Sequence, residues 1–210
     1  MSQRRSYSAR VIDAAEETMD AAVWRLVKLP VELRTPKGFD PDRVETWPRV
    51  EGRMEYVGGR LLYMPPCGEV QSSLTARVVG VLMPWARVHQ SFWVGTNEAG
   101  VALGGDRRGA DAAVYRRRPG QQLSDGFARE APALAVEVEG KYEGSAVLRR
   151  KARWYLEHGT EVVWLVLQKA HEIVVVTRDG EARYGKGETI PEHPALPGLV
   201  VSVDEIYEDL

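Results

Sequence analysis

PALAVEVEGKYEGSAVLRRKARWYLEHG, residues 132–159, starts as an apolar strand that ends in two acids, Glu137 and Glu139. A short polar loop follows, then a helix whose one misplaced residue is a lysine, Lys151. In a strand successive side chains alternate between faces, so Leu134, Val136 and Val138 share one face and Ala135, Glu137 and Glu139 the other. Two neighbouring carboxylates on one face repel each other, and burial raises that cost; a divalent metal relieves it, and so does exposure at an edge. On a helical wheel Leu148, Ala152 and Tyr155 mark the apolar centre, while Arg149, Arg150, Arg153 and Glu157 take the opposite arc. Lys151 falls within roughly 60° of the apolar centre. From there it either snorkels to solvent or points back at the carboxylates of the strand.

Working outward, Glu161–Leu167 is a continuous apolar run suited to a central strand, and His171–Thr177 reads as its antiparallel neighbour. Residues 181–190 add an edge strand. Upstream, Met54–Val57 and Arg60–Met64 flank Gly58–Gly59, a two-residue hairpin signal that places Glu55 on the first arm. Gln71–His89 reads as a helix lined by Leu74, Val78, Val81, Leu82 and Trp85, with Pro84 as a kink or end. Short strands follow at Phe92–Gly95 and Ala99–Leu103, separated by a turn. Ala110–Tyr115 is a small-residue strand with Asp111 near its start, where it either caps a turn or serves a site. Residues 9–28 have helical periodicity up to Pro30, and four prolines make residues 30–50 a linker or wrapping arm. The expected organisation is an N-terminal helix and arm over residues 1–47 and one domain over 48–210. Its class is α/β with α+β character: a central mixed sheet flanked by helices, not a doubly wound parallel fold.

With 44% hydrophobic and 28% charged residues the chain is an ordinary globular protein, and no apolar run reaches the ~18–20 residues of a membrane helix. The N-terminus lacks a signal-peptide core, and the single cysteine, Cys67, excludes an internal disulfide framework. Both suit a cytoplasmic protein, with Cys67 as a small buried or half-buried residue. A net charge of −2 means that the chain as a whole is no polycation, so any nucleic-acid contact relies on local clusters at Arg107–Arg108, Arg116–Arg118 and Arg149–Lys151. Taken singly, each such run is as readily a solvated face. There is no GxGxxG after a strand and no GxxxxGK[ST], and His89, His158, His171 and His193 show no ligand spacing.

Five pieces in order, MEYVGGRLLYMPP, GADAAVY, PALAVEVE, KARWYLEHGTEVVWLV and LPGLVVSVDEIY, resemble the Uma-two restriction endonuclease family of the PD-(D/E)XK nuclease superfamily. The resemblance runs from about Arg53 to the C-terminus and implies a restriction-endonuclease-like core. It matches Asp111 to the family's metal-binding aspartate, Glu137 to its strand glutamate, Lys151 with Tyr155 to a K-x-x-x-Y lysine on the next helix, and Glu55 to an acid on the first hairpin. Three departures stand out. Glu139 occupies the place where the plain E-x-K form keeps its lysine, Val70 stands where relatives often have histidine, and Gly140–Lys141–Tyr142 replaces a serine-containing turn.

The resemblance implies metal-assisted hydrolysis of DNA. Asp111, Glu137 and the Val138 carbonyl are expected to hold Mg²⁺, with Mn²⁺ as a substitute; Glu139 is an additional ligand or binds a second metal, and Glu55 ligates through water. Lys151 orients the attacking water or neutralises developing charge, with Lys141 as its stand-in. Arg108, Arg116, Arg150 and Lys141 are the expected phosphate contacts. The rival reading is a catalytically impaired nuclease fold that binds nucleic acid or a protein, which Glu139 and the altered loop favour. A third is a structural or oligomerisation module built on the N-terminal helix, which packs on the domain or on a second copy; a homodimer is therefore among the expected assemblies.

Overall fold

The computed structural model describes residues 29–208, so the helix expected over residues 9–28 lies outside the described part. The strands, in chain order, are β1 (Val31–Leu33), β2 (Arg53–Val57), β3 (Arg60–Met64), β4 (Phe92–Leu103), β5 (Asp106–Arg116), β6 (Leu134–Val138), β7 (Val162–Leu167), β8 (Glu172–Thr177), β9 (Gly180–Tyr184), β10 (Thr189–Ile190) and β11 (Val201–Ser202). Helix α1 (Glu69–Val88) follows the first hairpin, α2 (Ser145–Glu157) joins β6 to β7, and α3 (Val203–Tyr207) closes the domain. The large sheet runs β1-β3-β2-β5-β6-β7-β8-β9, with β4 on the other edge of β5. Only β6 and β7 in it run parallel, joined by the α2 crossover that a parallel pair requires; the other pairings are antiparallel. This is the expected mixed sheet. Among the described residues no helix is long and apolar enough to cross a membrane.

Helices cover both faces, which is why β7 is apolar throughout and β6 is apolar apart from Glu137. Leu74, Val78, Leu82 and Trp85 of α1 pack with Val114, Val136 and Trp164 on one face. Leu148, Ala152 and Tyr155 of α2 pack with Ala113, Ala135 and Leu165 on the other. All six residues of β7 are buried.

Four local expectations change. Pro84 does not end α1, which continues to Val88; it lies on the exposed side, where water can satisfy the carbonyl its missing N–H leaves open. The turn expected inside residues 92–103 is a bulge in one strand, between Thr96 and Ala99, with Asn97 at φ 56°. β5 starts at Asp106, which puts Asp111 mid-strand and not near the start. The arginines ahead of Asp111 lie outside the expected strand, yet Arg107 is paired with Asp42 at 2.7 Å and Arg108 with Glu55 at 3.1 Å, which lets both enter a sheet. The arm, finally, is part of the sheet ahead of position 48: β1 pairs with β3, and Phe39 and Trp47 pack on Tyr56 and Phe127.

One topological feature positions the site. β2 and β6 both pair with the same edge of β5, β2 at Arg107 and β6 at residues 112–114. β5 is thus the stem of a fork, and residues 108–111 lie where its two branches part.

Candidate active site

Extending the β5–β6 register by one residue sets Asp111 opposite Glu137, on the face covered by α2. Directly opposed residues in an antiparallel pair have Cβ atoms ~4.5–5.5 Å apart. Both are buried, at 6% and 1% exposure. Asp111 Oδ2 accepts the Val138 N–H at 2.7 Å, and its Oδ1 has only two long contacts, Arg53 Nη1 and Gln71 Nε2, each at 3.5 Å. Gln71 Nε2 also reaches the Val138 carbonyl at 3.4 Å. Glu137 Oε2 accepts from Lys151 Nζ at 3.0 Å, while Glu137 Oε1 is buried with no hydrogen-bond partner. The Tyr155 hydroxyl lies beside this carboxylate without closing a hydrogen bond of good geometry.

Lys151 does not snorkel. It is 6% exposed, and its ammonium also meets Glu143 at 3.1 Å and Glu55 at 3.9 Å. Arg53 Nη2 binds the other oxygen of Glu143 at 2.7 Å, and Arg108 links Glu55 to the Trp154 ring, 4.8 Å from its centroid. Among the described residues the cluster brings four carboxyl groups (Glu55, Asp111, Glu137, Glu143) against three cations (Arg53, Arg108, Lys151).

Burial raises the Glu137 carboxyl to about 8, against the pull of Lys151 and with the charge of Asp111 adding to the rise. Asp111 is likewise raised by burial, although the Val138 N–H and the Lys151 and Arg53 charges oppose the shift. Glu143 goes the other way: burial would raise it, but Lys151 and Arg53 outweigh that and hold it below the ordinary range. Burial also works against the Lys151 ammonium, yet Glu137, Glu55 and Glu143 prevail and keep it charged above the normal lysine range. Glu137 and Asp111 are thus the two carboxyls on which burial outweighs the neighbouring cations.

Not every expected residue comes here. Alternation put Glu139 beside Glu137, but β6 ends at Val138, and the Glu139 side chain instead accepts the Lys169 N–H at 3.2 Å. Arg116, at the far end of β5, pairs with Glu161 at 2.6 Å, and Arg150 lies on the exposed side of α2. Lys141 is exposed over the Tyr142 ring at the mouth of a cleft of about 180 Å³. Cys67, expected to be at least half buried, is exposed at the same mouth, on the turn between β3 and α1.

Three members of the cluster were not anticipated. Gln71 carries the one signal a wheel could have shown, a polar residue on the Leu74–Val78–Leu82 stripe of α1. Arg53 shares the period-2 face of Glu55, a weaker sign. Glu143 sits in a polar loop and gives none.

Residues 41–204 match the Uma2 family, described as "Putative restriction endonuclease". The chain belongs to the Uma2 family. The fold of this Uma2 protein is similar to that of a crystal structure from Anabaena variabilis ATCC 29413, described as a "putative nuclease belonging to DUF820". The two are 16% identical with a TM-score of 0.68, over 78% of this chain and 94% of that one. No curated protein matches this Uma2 chain.

Among the described residues no three His, Cys, Asp or Glu side chains come together as a metal-binding group. The available oxygens are therefore Glu137 Oε1, which is unpartnered, and Asp111 Oδ1 and the Val138 carbonyl, which have only long contacts. Hard oxygens with few protein ligands fit Mg²⁺, which keeps several of its waters. The raised Glu137 gives this fit a pH signature. A group whose folded-state pKa lies above its unfolded value adds stability in full below the unfolded pKa, and that contribution is lost as pH rises through the folded one. For Glu137 the loss spans pH 4.5 to about 8. A divalent ion held here would take the place of the proton, so millimolar Mg²⁺ is expected to raise the melting temperature by several degrees at about pH 8.5 and far less at about pH 6. An equal shift at both pH values would remove Glu137 from the ligand set.

Proposed function

We propose that this protein is a metal-dependent endonuclease that hydrolyses DNA phosphodiester bonds. The observation that carries the reading is the buried, partnerless Glu137 Oε1, set beside Asp111 and held against a buried lysine. A carboxylate kept this way costs stability unless a cation completes it. Asp111, Glu137 and the Val138 carbonyl would hold the ion, with Glu55 acting through water. Mg²⁺, or Mn²⁺ in its place, would supply a Lewis acid that polarises the phosphate and lowers the pKa of the attacking water.

The chain's own groups do the rest. Lys151 is held charged by three carboxylates, so it has no free base to offer; it donates hydrogen bonds that orient water or neutralise charge developing on the phosphate. Gln71 holds the Asp111 carboxylate and the Val138 carbonyl in register from the first turn of α1. Glu55 keeps Arg108 beside the cluster, and exposed Lys141 stands at the cleft mouth where a DNA backbone would enter. Arg116, paired with Glu161, and Arg150, on the exposed side of α2, are assigned no step.

Purified protein is expected to nick and linearise supercoiled plasmid DNA in Mg²⁺ or Mn²⁺ and to leave it intact in EDTA. DNA bound but uncut with every divalent ion would instead favour a binding protein on an impaired nuclease fold, and parallel single-stranded DNA and RNA substrates define the polymer.

A further inference from the structure

Glu143 has no task in the reaction above, yet its carboxylate is the most firmly held in the cluster. Its Oε2 meets Arg53 Nη2 at 2.7 Å and its Oε1 meets Lys151 Nζ at 3.1 Å. One cation on each oxygen is also how the two non-bridging oxygens of a phosphodiester are gripped. The same two cations touch Asp111 at 3.5 Å and Glu137 at 3.0 Å. An anion between them therefore lies against both carboxylates assigned to the metal.

The space around the site agrees. Behind Glu143 is a cavity of about 30 Å³ walled by Pro30, Glu55, Leu62 and Lys151, room for a water or two and not for a phosphate. In front is the cleft of about 180 Å³ bounded by Pro66, Gln71, Gly140 and Lys141. Arg53, Met64 and Glu143 belong to both walls, so the Arg53–Glu143 ion pair is the partition between them. Glu143 stands in the irregular loop between β6 and α2, next to Gly144, and can turn into the cleft without moving a strand or a helix.

We propose that Arg53 and Lys151 form the subsite for the scissile phosphate, and that Glu143 fills it in the free protein as an internal stand-in which the substrate displaces. The identity of the ligand rests on the nuclease reading; the subsite itself does not. Exchanging one singly charged anion for another keeps the charge of the cluster constant, whereas a phosphate added beside Glu143 would set two anions against each other. The free protein accordingly binds phosphate more weakly than the two cations alone would, because the competent state must first be freed.

The test uses the full chain in EDTA, so that no metal mediates binding, with inorganic phosphate and a short DNA duplex as probes in titration calorimetry. Glu143→Gln, close in shape but neutral, is expected to bind both at least about tenfold more tightly than the parent, and Arg53→Gln in the same background to abolish the gain. Should Glu143→Gln fail to fold, Glu143→Asp, which keeps the charge but draws it back by one methylene, is expected to show a smaller gain. Unchanged or weaker phosphate binding in whichever folded variant is used overturns the proposal. Tighter phosphate binding without DNA cleavage by the parent leaves the subsite standing and fells the nuclease reading. Cleavage by the parent without any gain in the variants does the reverse.

Discussion

Glu137→Gln is expected to lower DNA cleavage by roughly 10³-fold or more while leaving the fold as stable as the parent, or more so. The substitution keeps size and one acceptor but removes the charge that a cation would meet. Without metal that charge is a burden: the residue is 1% exposed, one of its oxygens has no partner, and burial has already pushed its carboxyl up to about 8. Replacing the acid with an amide removes the desolvation cost, and Lys151 retains Glu143 at 3.1 Å. Urea unfolding and plasmid cleavage on the same preparation check both halves. A large loss of stability would mean that Glu137 serves the fold, and undiminished cleavage would remove it from the reaction. A catalytic carboxylate kept at a cost to stability is the usual trade between activity and stability.

Lys151→Met is expected to do the opposite to the fold and the same to the reaction. Removing the ammonium strands Glu137 and Glu143 beside Asp111 in a buried setting, and breaking one side of a buried ion pair costs about 3–5 kcal/mol. In a domain of this size that is a fall of roughly 6–20 °C in melting temperature. Cleavage should fall by about 10²–10³-fold, as for other groups that stabilise charge in a transition state. The double variant Glu137→Gln with Lys151→Met separates the two effects, because neutralising both partners should restore part of the stability and none of the activity. If the single variant melts with the parent, Lys151 is not the counter-charge that its distances describe.

How far the sequence foretold this site depended on whether a residue's neighbours were local. Lys151 was legible because one helical turn shows it among apolar positions, whereas alternation left Glu137 and Glu139 equivalent and the family resemblance singled out Glu137. Alternation set Glu139 beside Glu137, but it holds only while the strand lasts and β6 stops at Val138. Asp111 was seen, but the extent of its strand was not: Arg107 and Arg108 enter a sheet only because Asp42 and Glu55 neutralise them, and those partners are more than 50 residues away. Glu143 and Arg53 were missed for a like reason. They lie 90 positions apart, and nothing near either one hints that it is buried against the other.

The fork at β5 has a consequence for the order in which the molecule assembles. The unit from β6 through α2 to β7 contains Glu137 and Lys151, 14 positions apart, and closing so short a loop is entropically cheap. The other branch carries Arg53 and Glu55 and must be brought in from across the chain, a contact of the kind that slows folding. The lysine–glutamate pair therefore belongs to the half that can form first, and the arginine side of the site is fitted last, when the early hairpin docks on β5. Substitutions on that hairpin should accordingly leave the folding rate nearly unchanged and act mainly on unfolding.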